Sequence, residues 1–206
     1  IPAAILNALG GHKDLGLHSG LITDEIIDLV ENGVITNARK AVHTGISVGA
    51  IAIAGPRLKD FLHLNADFQM HPSSTTHGPA TLSQIDNLVA MNSALEVDIY
   101  GQVNAEQVGD RYLGAIGGQV DFMHAATTAA KGISMIAMPA SLGKSGGSRI
   151  TAKLGGPFVT TARTDVDMVI TEYGIADLRG KTLEDRARSI IDIALPEHRE
   201  ELATHI

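Results

Sequence analysis

The chain has 206 residues, 44% hydrophobic and 19% charged, with a formal net charge of −7. That balance suits one α/β domain of ordinary size, able to bury enough apolar surface to repay its ordering entropy, and it excludes an intrinsically disordered chain. The acidic balance leaves no broad cationic surface for a phosphate backbone, so nucleic acid is not an expected partner.

Cysteine is absent, which excludes disulfides and thiolate metal sites. The longest apolar stretches, such as Ile133 to Ala140, fall far short of the roughly 20 residues that a spanning helix needs. No charged leader precedes an apolar region, so the expectation is a cytoplasmic protein with no membrane contact. The sequence opens on Ile1 without a methionine, directly in an apolar helical pattern (Ile1, Ile5, Leu6, Leu9) that stops at Gly10-Gly11. That opening reads as part of a longer chain. With 3% aromatic residues and no Trp, small aliphatic side chains must fill the core.

The next helix is predicted from Thr23 as N-cap, with Asp24 and Glu25 in the first turn, Ile26, Ile27 and Val30 on one face, and Gly33 as stop. Ile46 to Ala54 is an apolar run rich in β-branched residues, read as a buried strand, and Gly55-Pro56 turns it into a short helix through Leu58, Phe61 and Leu62. Buried strands of this kind imply a parallel sheet. A short strand at Phe68 to His71 leads to a Ser-, Thr-, Gly- and Pro-rich segment, Pro72 to Gln84, predicted as a surface loop. Leu88 to Tyr100 is predicted as a strand whose end alternates, Leu95, Val97 and Ile99 on one face and Glu96, Asp98 and Tyr100 toward water.

A helix is expected over Gln119 to Lys131 and a strand over Ile133 to Pro139. After a Gly/Ser-rich loop at Leu142 to Ser148, strand patterns follow at Arg149 to Leu154, Phe158 to Ala162 and Met168 to Thr171. The C-terminus is helical, with Thr182 and Asp185 resembling a capping box and Pro196 separating a last short helix. Alternating strands and helices imply three-layer α/β architecture.

Several residues invite a chemical reading. Gly117-Gly118-Gln119 stands at a helix start, where close backbone approach and free N–H groups suit an anion or an oxyanion; a plain helix-entering turn has the same sequence. Gly143-Lys144-Ser145-Gly146-Gly147 lacks the G-x-x-x-x-G-K-[ST] spacing of a nucleotide phosphate loop, and a solvated lysine is the plainer reading of Lys144. None of the nine histidines falls in H-x-H or H-E-x-x-H spacing, so no metal site is assigned. Glu96 and Asp98 could pair as acid and base, though alternation also turns them simply toward water.

Four segments together carry more: Asp14-Leu-Gly-Leu-His-Ser-Gly20, Asn92-Ser-Ala-Leu-Glu-Val-Asp-Ile-Tyr-Gly-Gln-Val103, Gly117-Gly-Gln-Val-Asp-Phe122 and Thr171-Glu-Tyr-Gly-Ile-Ala-Asp-Leu-Arg-Gly180. In this order, between about Gly10 and about Leu202, they resemble the C-terminal domain of the acetyl-CoA hydrolase/transferase family, of the kind that acts on 4-hydroxybutyrate. The resemblance implies that residues 1–206 form a domain of the NagB/RpiA/CoA-transferase-like fold, partnered by an N-terminal half outside this chain. It implies acyl-CoA and a small carboxylic acid as substrates, coenzyme A as substrate rather than cofactor, no other cofactor, and homo-oligomers.

In the family a glutamate attacks the thioester to give an acyl anhydride, and CoA thiolate then returns to form a glutamyl-CoA thioester, which the acceptor acid resolves. The family pattern there resembles Leu-Gly-x-His-Thr-Glu, followed by an apolar residue and a later Asp. Leu15-Gly-Leu-His-Ser-Gly20 aligns that glutamate with Gly20, which carries no nucleophile, while His18, Ser19 and Asp24 keep the frame. Three readings follow: a transferase that takes its carboxylate from elsewhere, a hydrolase in which water enters at Gly20, and a non-catalytic acyl-CoA-binding subunit. The motif also places Asn92 near the thioester, and Gly117, Gly118 and Gln119 near the oxyanion or the pantetheine of CoA. For Asn92 the alternative is a polar residue satisfying a turn.

Overall fold

The computed structural model describes residues 2–143 and 147–206. The backbone divides into two compact units, one ending at Asp86 and one spanning Asn87–Ile206.

The first unit opens with α1 (Pro2–Ala8), which tightens into a 3-10 turn at Leu9–Gly11. Then come β1 (His18–Ile22), α2 (Ile26–Glu31), β2 (Ser47–Ala52), α3 (Pro56–Leu62), β3 (Phe68–Met70), α4 (Ser73–Thr76) and α5 (Pro79–Leu82). The strands form a parallel sheet in the order β1-β2-β3, as the apolar run after Ile46 implied. β2 is buried only over Ser47–Gly49, however, and Ile51 stays 62% exposed. Ile22, Ile26, Ile27, Leu58 and Phe68 make one core cluster, and Leu29, Val34 and Ile35 a second.

α2 begins later than its sequence signal suggested. Thr23 and Asp24 form a lead-in turn whose carbonyls accept from Ile26 and Ile27 at 3.4 and 3.1 Å, and Leu29, rather than Val30, completes the buried face. Gly33 ends the helix at φ +70, a conformation that glycine enters without steric cost. The segment Pro72 to Gln84 is not a bare loop. Pro72 and Gly78 each precede a single helical turn, α4 and α5, with Pro79 at the first position of α5 where its missing N–H costs nothing.

The second unit contains β4 (Val89–Asn92), β5 (Glu96–Asp98), β6 (Val103–Asn104), β7 (Gln107–Val108), β8 (Arg111–Tyr112), α6 (Gln119–Thr128), β9 (Ile133–Ala137), β10 (Ile150–Thr151), β11 (Met168–Thr171), β12 (Gly174–Asp177), α7 (Leu183–Asp192) and α8 (Arg199–Ala203). Its main sheet runs β12-β11-β9-β4, parallel except for β12, and a smaller one runs β10-β5-β6. Val97, Ile99, Met123, Ile136, Val169 and Ile190 are fully buried and fill the core.

Three expectations change in this unit. The run Leu88 to Tyr100 is two strands, β4 in the main sheet and β5 in the smaller one. Asp98 does not face water: it is 2% exposed, and its carboxylate accepts from the Tyr100 and Gln102 backbones and from Gln102 Nε2 at 2.7–3.0 Å. Those bonds close the tight turn in which Gly101 has φ +93. Phe158 to Ala162 forms no strand and contributes only an isolated bridge from Thr161 to Val103. At the C-terminus the cap is as read: Thr182 Oγ1 accepts from Asp185 N at 3.2 Å and donates to Asp185 Oδ2 at 2.7 Å. Among the described residues no helix is long and apolar enough to cross a membrane.

Candidate functional site

α6 and β4 carry the residues that the sequence motifs single out in the second unit. Gly117 has φ +63, strained for any residue with a side chain, and Gly118 is the N-cap of α6 without a side-chain cap. The first intrahelical bond is Phe122 N to Gly118 O, so the N–H groups ahead of it have no acceptor within the helix. α6 packs on β4 and β9 and leads into β9, which lies parallel to β4 with Asn92 opposite Ile136. The start of α6 and the end of β4 therefore share one edge of the sheet, the carboxyl edge where open α/β sheets take ligands. Asn92, Gly117, Gly118 and Gln119 all belong to that edge.

Gln119 contributes differently from its neighbours. The residue is 9% exposed and donates from Nε2 to Thr161 Oγ1 at 3.1 Å, so its side-chain amide holds the turn. The neighbouring Thr160 donates to Glu106 Oε2 at 2.7 Å, and Tyr112 donates to Glu106 Oε1 at 2.9 Å. Tyr112 meets Phe158 edge-on at 5.3 Å between ring centroids. A buried carboxylate thus ties the β7–β8 hairpin to the segment carrying Thr160 and Thr161. No sequence signal points to this network, since Glu106 stands in an unpatterned stretch between short strands. Glu96 is likewise structural, accepting from Gly155 N at 2.9 and 3.1 Å, so Glu96 and Asp98 are not a catalytic pair.

In the first unit Gly20 sits in the middle of β1 with no positive φ, so the backbone there accepts any residue. Two positions earlier, His18 donates from Nε2 to Thr76 O at 2.9 Å. Asn37, 4% exposed at φ +56, accepts from Leu17 N at 2.8 Å and donates to Ser47 Oγ at 2.9 Å, pinning the starts of β1 and β2 together. The loop that follows carries Lys40, whose Nζ donates to Leu17 O at 2.9 Å and Ile46 O at 2.6 Å. Burial lowers the Lys40 pKa to about 8. His43 in the same loop lies 6.5 Å from His18 and 5.0 Å from His71 between ring centroids. Burial holds both His18 and His43 below the usual imidazole value. Of the carboxylates after Gly20, Asp24 lies close to Gly55 at the head of α3, and the Thr23 hydroxyl holds Glu25 below the usual carboxylate range.

The model of the acetyl-CoA hydrolase/transferase C-terminal domain matches residues 55–206. The chain belongs to the acetyl-CoA hydrolase/transferase family. It is 42% identical over 203 residues to 4-hydroxybutyrate coenzyme A transferase of Clostridium kluyveri, covering 98% of this chain and 47% of that one. The crystal structure of 4-hydroxybutyrate CoA-transferase from Porphyromonas gingivalis superposes with a TM-score of 0.86 at 36% identity, over 99% of this chain and 48% of the other. Acetyl-CoA hydrolase of Saccharomyces cerevisiae is more distant, 29% identical over 195 residues, 93% of this chain and 36% of that enzyme. The chain spans about half the length of the transferases it matches.

The family membership and the α/β/α architecture shared with CoA-transferases are as the sequence motifs implied. Gly20 belongs to the first unit, and Asn92, Gly117, Gly118 and Gln119 to the second. Lys144, Ser145 and Gly146 of the Gly/Ser-rich loop lie outside the described residues.

Proposed function

We propose that the protein containing this chain is a CoA-transferase that moves coenzyme A between an acyl-CoA and a small carboxylic acid, 4-hydroxybutyrate or a similar acid among them. The observation that carries the reading is identity at 42% to a 4-hydroxybutyrate coenzyme A transferase across 98% of the chain, against 29% to an acetyl-CoA hydrolase. In this reading Asn92 and the N–H groups at Gly118 and Gln119 hold the thioester carbonyl, and their fixed dipoles stabilise the negative charge that develops on its oxygen. Gly20 occupies the place of the family's nucleophilic glutamate, so the attacking carboxylate comes from another part of the protein, the half that the relatives carry beyond this span included.

A second reading has a specific observation behind it. Gly20 carries no nucleophile, and with water as the attacking group in place of a carboxylate the protein is an acyl-CoA hydrolase.

The test is mass spectrometry of the full-length protein after incubation with acetyl-CoA, with and without borohydride, which reduces a glutamyl thioester and marks its position. A reduced carboxyl at one residue establishes a relocated nucleophile and the transferase. CoA release without any adduct establishes direct hydrolysis.

A further inference from the structure

The carboxyl end of the β1-β2 pair is covered on one side and bare on the other. On the covered side Ile22 packs with Ile26 and Ile27 of α2 and Leu58 of α3, and Ala52 and Ala54 lie against the same cluster. Side chains alternate along a strand, so the residues between these turn the opposite way. Leu21 is in register with Ile51, as Ile22 is with Ala52, and Ile53 follows Ile51 by two places. Leu21, Ile51 and Ile53 are 48%, 62% and 65% exposed.

An exposed aliphatic residue standing alone calls for no cause, but three grouped on adjacent parallel strands do. Parallel strands are found buried on both faces, because their backbone order leaves room for a layer on each side. Here one layer is present over these residues and the other is not.

Two observations choose what supplies it. The chain spans 47% and 48% of the transferases it matches, so somewhat more than half of each relative lies outside the shared span. The match to the C-terminal domain model begins at residue 55, after both β1 and β2, whereas the relatives match 98% and 99% of the chain. The strands that carry the bare side therefore precede the C-terminal domain proper and adjoin the part of the relatives that this chain does not contain.

We propose that Leu21, Ile51 and Ile53 are the surface onto which the half of the protein outside residues 1–206 packs, with aliphatic or aromatic side chains of its own as the second layer of this sheet. The surface rests on the family relationship and not on the reaction, so it stands or falls apart from the transferase reading.

The experiment is photo-cross-linking of the full-length protein with photo-leucine in place of leucine. On irradiation the diazirine at residue 21 inserts into what touches it, and peptide mass spectrometry locates the link. Expected is a link from residue 21 to a peptide outside residues 1–206. Links to residues 87–206 instead, links in isotope-mixed protein to a second copy of residues 1–86 instead, or no link outside residues 1–206 would each overturn the proposal. The chain has no cysteine, so Ile51→Cys, or Ile53→Cys if the first does not fold, places one thiol on this surface. Leu64→Cys, at a position 90% exposed just after α3, is the open reference. In native full-length protein iodoacetamide should label residue 51 at least about tenfold more slowly than residue 64, and in urea at the same rate. Equal rates in the native protein would overturn the proposal as well.

Discussion

The Glu106 network offers a stability test with a magnitude that follows from burial. Glu106 and Thr160 are each 4% exposed, and the Thr160 hydroxyl donates to Glu106 Oε2 at 2.7 Å while accepting from Ala105 N at 2.9 Å. Thr160→Val keeps the shape but leaves a buried carboxylate oxygen without its donor, worth about 2–3 kcal/mol for a bond to a charged group. In a Glu106→Gln background the same change removes only a neutral bond, worth about 1 kcal/mol. The orphaned Ala105 N–H costs the same in both backgrounds and cancels, so the double-mutant cycle should show a coupling of about 1–2 kcal/mol. All three tyrosines of this chain, Tyr100, Tyr112 and Tyr173, lie in the second unit and it has no Trp, so urea unfolding of residues 1–206 followed by tyrosine fluorescence reports on that unit. Additive effects of the two substitutions, within about 0.5 kcal/mol, would refute the reasoning.

Gly20→Glu places a carboxylate where the backbone of β1 already accepts one, and the variant should form a borohydride-reducible adduct at residue 20 with acetyl-CoA; the peptide mass decides it. Lys40, with its pKa lowered to about 8 by burial, carries fewer protons folded than unfolded between about pH 8 and its ordinary value near 10.4. Stability from this group should therefore rise with pH across that window, and competitive labelling with acetic anhydride near pH 8 should find Lys40 more reactive than the exposed Lys181. Thr182→Ala removes the N-cap of α7 and should lower stability by about 1 kcal/mol, read from the same urea transition.

Much of this molecule was legible because its signals are local. The α7 cap needs only Thr182 and Asp185, three residues apart, and the strand at Met168–Thr171 is a contiguous β-rich run bounded by turn residues. The misreadings have one physical source, which is tertiary context. Asp98 looks solvent-facing by alternation, yet the turn at Gly101 folds three donors onto its carboxylate and carries it inside. Leu88–Tyr100 reads as one strand because periodicity does not record which sheet each half joins. Phe158–Ala162 has the composition of a strand, but its backbone pairs only at Thr161.

The site divides in the same way. The Gly117-Gly118-Gln119 turn is visible because glycines before a helix are a contiguous pattern, and Gly20 and Asn92 are visible because they stand in ordered motifs. Glu106 had no sequence signal at all, since a buried carboxylate is known only by the hydroxyls that reach it.

The central claim, CoA transfer, is tested most directly by following the fate of CoA itself. Full-length protein is mixed with acetyl-CoA and 4-hydroxybutyrate, and the CoA species are separated over time. The account predicts a new acyl-CoA that appears as acetyl-CoA disappears, depends on the added acid, and leaves free CoA at trace level. Stoichiometric free CoA at the same rate with and without the acid would contradict it.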